Sequence, residues 1–245
     1  MIVLGFDTAT AATAVGLRLA DGTTLEARDD PREGEHPGHA TRLLPLAHGL
    51  LAEAGIAWPA VRRVAVGTGP GRFTGLRVGV ATARGLVHSL GVELVGISSL
   101  SALAHGAAHA HPEQPLLAVI DARRGEIFAA AFPPPRGGDA VGSVDFHAPL
   151  SPGELSGAVS RASALTDGDR GCVAVGDGAL RYRAELERGG ASVPADDDPA
   201  HLVGAEAICA LAFAAPAVAA AEVVPDYRRE ADAIARAPGV PVRST

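Results

Sequence analysis

The first segment that could carry chemistry is Asp7-Thr8-Ala9-Thr10, which follows a short apolar run at the start of the chain. An acidic residue after a strand, followed by hydroxyl groups and a hairpin, is the layout of a nucleotide phosphate loop. Asp7 would then position a metal ion or water, and the Thr8 hydroxyl would touch phosphate. The alternative is that Asp7 caps the turn through its own backbone. The surrounding alanines favour a degenerate nucleotide loop at most.

A glycine-rich stretch, GTGPGRFTGLRVG, spans residues 67–79 between two apolar segments. Glycines between a strand and a helix often cradle phosphate, but Pro70 removes an N–H donor from this loop. The chain contains no lysine that could complete a phosphate site. We therefore predict a hinge that begins a helix made for contact. The residues of this motif are Gly69, Pro70, Gly71, Thr74, Gly75 and Arg77.

Two further clusters could bind ligands or partners. His105 and His109 share a helix face and His111 follows, but the tract lacks Cys, Asp and Glu, so we predict solvated histidines and no metal site. Charges of both signs crowd a turn formed by Asp121, Arg123, Arg124 and Glu126. That turn is either salt-bridged within a hairpin or a functional surface. We assign no catalytic residue.

The composition limits the classes of function. The chain has 245 residues and is 47% hydrophobic, enough for one large domain or two small ones. With a net charge of −7, the chain lacks the excess of positive charge expected of a protein that binds nucleic acid on its own. Without lysine, Schiff-base and P-loop chemistry are excluded. We find no disulfide framework, leader peptide or membrane span, which predicts a cytoplasmic protein.

The periodicity predicts two related α/β lobes, each with a mixed β-sheet flanked by helices. We expect a first lobe at 1–104, a smaller one at 105–200 and a tail at 222–245, with a last helix at about 201–221 packing back on the first lobe. Strands are predicted at 2–6, 13–19, 23–28, 61–66, 92–97, 116–120, 125–132, 140–147 and 172–175. Helices are predicted at 39–54, 73–90, 98–109, 152–163 and 178–187.

The predicted helix 73–90 is apolar on almost all sides. Such a helix is buried on more than one side, so it needs a partner element in addition to its own sheet. Its glycines each cost about 1 kcal/mol relative to alanine, which indicates tight packing. The candidate partner-interface residues on helices 39–54 and 73–90 are Leu43, Leu46, Leu50, Phe73, Leu76, Val80, Ala83 and Val87.

Six segments occur together in the order found in one family: FDTAT, HATRLLP, GTGPGRFTGLRVG, GISSLSALA, DARRGEIF and PDYRR. On these segments the whole chain resembles the TsaB (YeaZ) family, which is related to the glycoprotease-like group. The glycine stretch combined with DARRGE is highly specific, whereas either alone would be much weaker. Ala40 and Arg228 depart from the usual serine and leucine without altering the resemblance.

The resemblance implies an actin-like, Hsp70-like (ASKHA) fold of two lobes and a role in making N6-threonylcarbamoyladenosine at position 37 of tRNAs that read A-starting codons. It implies a non-catalytic subunit that dimerises with TsaD through helices 39–54 and 73–90, and with itself when alone. The ATPase TsaE would complete the complex, and tRNA would be reached only through it. The chain would have no cofactor of its own; ATP or ADP would bind at the boundary with TsaD.

TsaD carries a His-x-Glu-Gly-His metal motif after the strand that corresponds to 92–97. The corresponding positions here read Ser99-Leu-Ser-Ala-Leu103, so both metal ligands are missing. The resemblance and the residues therefore both argue against a transferase. The alternative function is an autonomous actin-like ATPase or a glycoprotease-type peptidase, for which Asp7 is the main support.

Overall fold

The first sheet is built by the N-terminal strands, with the opening strand at its centre. The computed structural model describes residues 1–32, 34–134, 144–166 and 171–228. The strands are β1 Val3–Asp7, β2 Thr13–Arg18, β3 Thr24–Asp29, β4 Arg63–Gly69 and β5 Glu93–Ser98, in the order β3-β2-β1-β4-β5. β1 pairs antiparallel with β2 and parallel with β4. All five residues of β1 are buried, as expected of a strand covered on both faces.

The second sheet repeats the plan of the first. Its strands are β6 Leu116–Arg123, β7 Glu126–Phe132, β8 Val144–Asp145, β9 Cys172–Val175 and β10 Ala191–Ser192, in the order β10-β9-β6-β7-β8. Read from β8, two antiparallel pairs are followed by two parallel pairs, as in the first sheet read from β3. The predicted α/β class with two related mixed sheets is therefore confirmed, and the arrangement is actin-like.

Helices separate and cover the two sheets. They are α1 His39–Glu53, α2 Phe73–Leu90, α3 Ser99–Ala108, α4 Leu155–Ser163, α5 Asp177–Arg181, α6 Arg183–Arg188 and α7 Ala205–Ala214. α1 and α2 cover the outer face of the first sheet, α3 and α7 lie between the sheets, and α4 and α6 cover the second sheet from outside. None of the described helices is long and apolar enough to cross a membrane.

The helix predicted at 201–221 is wrong in its extent, because α7 covers only Ala205–Ala214. Before it lies a short 3-10 turn at Pro199–His201, and Gly204 has an extended backbone. At its end, Ala215 has a ψ of 148°, since a residue that precedes proline is pushed out of the helical region. The shorter helix still packs on β1 and β2 of the first sheet.

Other predicted boundaries differ less. The helix predicted at 178–187 is divided into α5 and α6 at Tyr182, a buried residue with a non-helical backbone. Of the strand predicted at 140–147, only Val144–Asp145 is a strand, and residues 140–143 lie outside the described residues. The lobe boundaries at 104 and 200 stay predictions, and most of the predicted tail lies outside the described residues.

Arg63 at the start of β4 ties α7 to the edge of the first sheet. Its side chain is 11% exposed and its Nη2 lies 2.6 Å from a Glu93 carboxylate oxygen on β5. Its Nη1 donates to the carbonyl oxygens of Ala212 and Ala215 at 2.5 and 2.9 Å. These carbonyls have no partner within the helix, because they belong to its last turn. Arg63 thus caps α7 from outside the helix.

We predict that Arg63→Ala lowers the free energy of unfolding by about 2 kcal/mol, because the carbonyls at the end of α7 lose their donor. Urea unfolding measures this loss. Arg62→Ala is the matched control, since the Arg62 side chain is exposed and donates to the Pro59 carbonyl oxygen of a neighbouring turn; its effect should stay within about 0.5 kcal/mol. Equal effects of the two substitutions would contradict the role given to Arg63.

Candidate functional site

Helix α2 begins directly after the glycine-rich loop at the end of β4. Gly69 has a φ of +100°, a backbone conformation that residues with side chains rarely adopt. The chain turns there and enters the helix at Phe73. The Arg72 N–H donates to the Ala9 carbonyl oxygen at 2.7 Å. The structure thus places the predicted hinge where it sets α2 against the loop Asp7–Thr10, called the DTAT loop below.

The start of α2 meets the DTAT loop through a row of glycines. Gly71, Gly75 and Gly79 are spaced four residues apart, so they line up along one face. A Cβ atom on Gly71 would collide with the Ala9 carbonyl, and one on Gly75 would collide with the Thr8 carbonyl. On Gly79 it would collide with the Thr8 hydroxyl, which itself donates to the Gly75 carbonyl oxygen at 2.8 Å. Only glycine lets the loop pack on the helix backbone in this way.

Asp7 is a buried carboxylate whose two oxygens are both engaged. One accepts from the Ala9 N–H at 2.7 Å, and the other accepts from the Ser99 hydroxyl at 2.5 Å. Burial raises the pKa of Asp7, and the hydrogen bonds from Ser99 and Ala9 oppose that rise. A Cβ atom on Gly67 would overlap the same carboxylate. Asp7 therefore caps its own turn, which was the alternative to a phosphate-loop role.

Three polar groups of the DTAT loop are bonded within the chain. The Thr8 hydroxyl is bonded to α2, the Ala9 N–H to Asp7, and the Ala9 carbonyl to Arg72. The geometry of Thr8 and Ala9 therefore suits a packing contact.

His39, at the first position of α1, is a site residue that sequence reasoning missed. Its Nδ1 lies 2.9 Å from the Thr13 hydroxyl oxygen, and its ring lies beside Gly75 of α2. Burial lowers the pKa of His39, and the charge of Arg72 lowers it further. The signal was present in the HATRLLP segment, where a histidine begins the helix. A neutral His39 joins α1, α2 and the hairpin β1–β2.

The structure places most of the predicted partner-interface residues inside the chain. Five of the eight side chains point into the chain's own core against the first sheet, and the other three are half-buried. The five are Leu43, Leu50, Leu76, Val80 and Ala83; the three are Leu46, Phe73 and Val87. Because α2 is apolar on almost all sides, its periodicity could not tell the inner stripe from the outer one. A contact of these eight residues with a partner stays a prediction.

The outer faces of α1 and α2 carry a different set of residues. α1 exposes Leu44, with 45% of its surface accessible, on the side away from the sheet. The exposed residues of α2 include small ones, and no atom lies within 4 Å of a Cβ built on Gly85. The exposed positions of both helices are Ala40, Thr41, Arg42, Leu44, Pro45, His48, Gly49, Ala52, Glu53, Thr74, Arg77, Ala81, Gly85, His88 and Ser89. We call this the outer helical face.

The charged turn between β6 and β7 contains a salt bridge, which is one of the two interpretations that the sequence allowed. Asp121 is buried; it accepts from the Arg123 N–H at 2.9 Å and lies 3.5 Å from the Arg123 guanidinium. Arg123 and Arg124 both have positive φ, 67° and 56°, and Glu126 begins β7. A contact role for this turn stays a prediction.

Two residues from elsewhere in the chain join the charged turn, and sequence reasoning missed both. The Asp121 N–H donates to the Asp177 carboxylate at 2.9 Å, and Arg181 lies 3.6 Å from Asp121. Burial raises the pKa of Asp177, while the Asp121 hydrogen bond and the charge of Arg72 oppose that rise. The signal for Asp177 was an acid between two glycines after a strand.

The histidine tract does not form a metal site with other residues. The His105 and His109 rings meet edge to face with centroids 6.4 Å apart. In the part of the chain that the structure describes, no group of three or more His, Cys, Asp or Glu side chains could hold a metal ion.

The glycine row yields a paired prediction within one helix. Gly75→Ala is expected to lower the free energy of unfolding by at least about 2 kcal/mol, because the new methyl group displaces the DTAT loop. Gly85→Ala, in open space on the same helix, is expected to raise it by up to about 1 kcal/mol. Chemical denaturation of both variants checks the pair. A similar response at the two positions would show that the loop does not constrain α2.

The buried carboxylate yields a pH prediction. The folded protein holds the Asp7 proton more tightly than the unfolded chain, so this group's contribution is most favourable below pH 3.8 and is lost as pH rises through the raised pKa. Asp7→Asn should therefore unfold at higher urea than the parent at pH 7, and the difference should close toward pH 4.

Asp21→Asn is the control, because its effect on stability should have the opposite sign. Hydrogen bonds from Thr23 lower the pKa of Asp21 in an exposed turn, so this substitution should cost stability at pH 7 and cost less on acidification. Unfolding curves across pH 2–7 measure both variants, because the Asp21 contribution is lost only below pH 3.8. Parallel pH profiles for the two would overturn the assignment of Asp7.

A family model and two curated relatives each match part of the chain. The family model described as TsaD: tRNA N6-adenosine threonylcarbamoyltransferase matches residues 33–133. The tRNA threonylcarbamoyladenosine biosynthesis protein TsaB of Escherichia coli is 37% identical over 134 residues, which are 54% of this chain and 55% of that protein. The Haemophilus influenzae protein of the same name is 34% identical over 128 residues, 52% of each. The chain thus spans about half the length of the curated relatives it matches.

Two solved structures from Pseudomonas aeruginosa match over nearly the whole chain. One, described as an uncharacterized protein with similarity to peptidase YEAZ, is 30% identical with a TM-score of 0.74; the match covers 93% of this chain and 99% of that one. The other, YeaZ, is 29% identical with a TM-score of 0.72, covering 91% and 98%. With this coverage, and with the motif residues placed around one loop and one helix, the chain belongs to the TsaB (YeaZ) family.

Proposed function

We propose that the chain is a non-catalytic subunit in the formation of N6-threonylcarbamoyladenosine at position 37 of tRNAs that read A-starting codons. It acts by dimerising with TsaD and holding TsaD in a competent shape. The names of the curated relatives support the process. The observation that carries the subunit role is the outer helical face, two adjacent helices that expose small and apolar residues on a sheet already covered by their inner sides.

The outer helical face suits another helical layer. Small residues such as Ala81 and Gly85 allow helices to approach closely, and Leu44 and Arg77 at the sides provide larger contacts. The TsaD family model matches residues 33–133, a range that contains both α1 and α2. We therefore expect TsaD to present a layer of two helices that corresponds to α1 and α2. A like surface on a second copy of this chain would explain self-association in the absence of TsaD.

The start of α3 supports a non-catalytic role. Ser99 and Leu103 occupy the positions of the TsaD metal ligands. The Ser99 hydroxyl is bonded to Asp7, and Leu100 and Leu103 are buried in the core between the sheets. Leucine cannot bind a metal ion, and these side chains are committed to packing. Transfer of the threonylcarbamoyl group is accordingly left to TsaD.

The remaining partners follow from the same proposal. TsaE would join the pair, and tRNA would be bound through the complex, in keeping with the net charge of −7. ATP or ADP, if bound, would lie at the boundary with TsaD, because the groups of the DTAT loop are engaged within this chain. The complex would work in the cytoplasm.

The alternative, an autonomous ATPase or peptidase, has less support. Asp7 was its main residue, and both of its carboxylate oxygens are engaged with Ala9 and Ser99. Nucleotide hydrolysis by the purified chain alone, abolished by Asp7→Ala, would favour the ATPase over the subunit role.

The test of the subunit role uses Ala81→Arg, on the exposed side of α2. A long charged side chain at the centre of a helix–helix contact should weaken TsaD binding by at least about tenfold. Co-purification, light scattering of the mixture and threonylcarbamoylation of tRNA measure the effect. Substitutions at Val80 or Ala83 are unsuitable, because those side chains are buried and their loss would damage the fold.

Ala184→Arg is the matched control. Ala184 is also an exposed helical alanine, but it lies on α6 outside the second sheet. Its substitution should leave TsaD binding and tRNA modification at the parent level. If the Ala81→Arg variant is folded and still binds TsaD as the parent does, the outer helical face is not the TsaD interface.

A further inference from the structure

The segment after α7 runs back across the first lobe as an extended strap, residues 218–228. Val218 bridges Leu94 at the edge of β5, and the buried Val223 packs beside Gly96. Arg84 of α2 donates to the carbonyl oxygens of Ala221 and Val223 at 3.0 and 2.7 Å. These contacts hold the strap along one side of α2.

The strap reaches the first turn of α2 at Tyr227. The Tyr227 and Phe73 ring centroids are 5.0 Å apart. The Arg77 guanidinium lies 3.8 Å from the Phe73 centroid, and its Nε donates to the Tyr227 hydroxyl at 3.0 Å. The Asp226 N–H donates to the Thr68 carbonyl oxygen at the end of β4 at 2.8 Å. The strap thus fixes side chains of the outer helical face.

The next residue crosses to the second lobe. Arg228 binds both carboxylate oxygens of Asp145 on β8, at 2.5 and 2.7 Å. Its Nε donates to Asp226 at 2.8 Å, and its Nη1 to the Phe146 carbonyl oxygen at 3.3 Å. The Arg228 side chain is only 7% exposed. A bidentate pair with one largely buried partner is among the stronger polar contacts that a protein makes. Without Asp145, Arg228 would keep only Asp226 as a charged partner.

We propose that the strap is a latch that links the two lobes. Arg228 binds Asp145 in the second lobe, while Tyr227 and Asp226 bind α2 and β4 in the first. Because one short segment holds both contacts, the position of β8 is transmitted to Arg77, on the outer helical face, and to the half-buried Phe73 beside it. A shift of the second lobe therefore changes the surface offered to a partner. The effect on the partner rests on the proposed function; the latch itself does not.

The test of the latch uses the free protein and Asp145→Asn, which keeps the shape of the side chain and removes its charge. Amide hydrogen exchange should accelerate by about tenfold or more at Asp226 and Tyr227, because the strap opens locally once Arg228 loses its charged partner in the second lobe. Arg228→Lys, which keeps the charge but loses the bidentate fork, should give a smaller change in the same direction. Exchange in β1 and β6 should not change.

Arg183→Ala is the matched control. Arg183 also bonds two carbonyls, those of Val193 and Pro194, and two carboxylates, those of Glu187 and Asp196, but entirely within the second lobe. It should leave exchange in the strap at the parent rate. Unchanged exchange at Asp226 and Tyr227 in folded Asp145→Asn would overturn the latch.

TsaD binding separates the latch from the proposed function. Asp145→Asn should weaken TsaD binding about fivefold or more, within the usual range of coupling between sites, while Arg183→Ala should not. If Ala81→Arg abolishes binding and Asp145→Asn leaves it unchanged, the subunit role stands and transmission through the strap is wrong. If neither variant affects binding, the proposed interface itself fails.

Discussion

The close approach of the DTAT loop to the backbone of α2 is the constraint on which the first lobe depends. Glycine at positions 71, 75 and 79 allows it, and hydrogen bonds from Thr8 to Gly75 and from Arg72 to Ala9 hold it. Because the loop follows β1, the central strand, this contact fixes α2 relative to the whole sheet. His39 then places the start of α1 beside the same glycines through its bond to Thr13. The positions of α1 and α2 on the sheet therefore depend on the DTAT loop.

The same constraint engages the polar groups of the loop within the chain. The loop begins with an aspartate at the end of the first strand. Ser99 and Ala9 bind the Asp7 carboxylate, and α2 covers the hydroxyl and carbonyl groups of Thr8. These groups therefore contribute to internal packing.

The sequence predicted the elements well where local signals were strong. The bounds of α2 match because Gly91, with a φ of 66°, stops the helix, and those of β9 match because a short apolar run lies between polar segments. The direction in which Val80 and Ala83 face was not predictable, since α2 is apolar on both sides. The bonds of Asp177 to Asp121 and of Arg228 to Asp145 were not predictable either, because they join residues 56 and 83 positions apart. Such pairings are set by the fold and leave no local pattern. The end of α7, by contrast, has a local signal in the sequence, because Pro216 pushes Ala215 out of the helical region.

The position of α7 has a consequence for the order in which the protein is made. This helix covers the inner face of β1 and β2, where the Cys209 thiol lies 3.5 Å from the Gly16 carbonyl oxygen. The Gly16 and Cys209 positions are 193 residues apart, so α7 leaves the ribosome long after the strands that it covers. Until then, the part of the inner face that α7 covers is exposed, and such apolar surface is prone to aggregation. The first sheet therefore reaches its final packing only after α7 has been translated, and a chain truncated before α7 would leave this part of the face in contact with water.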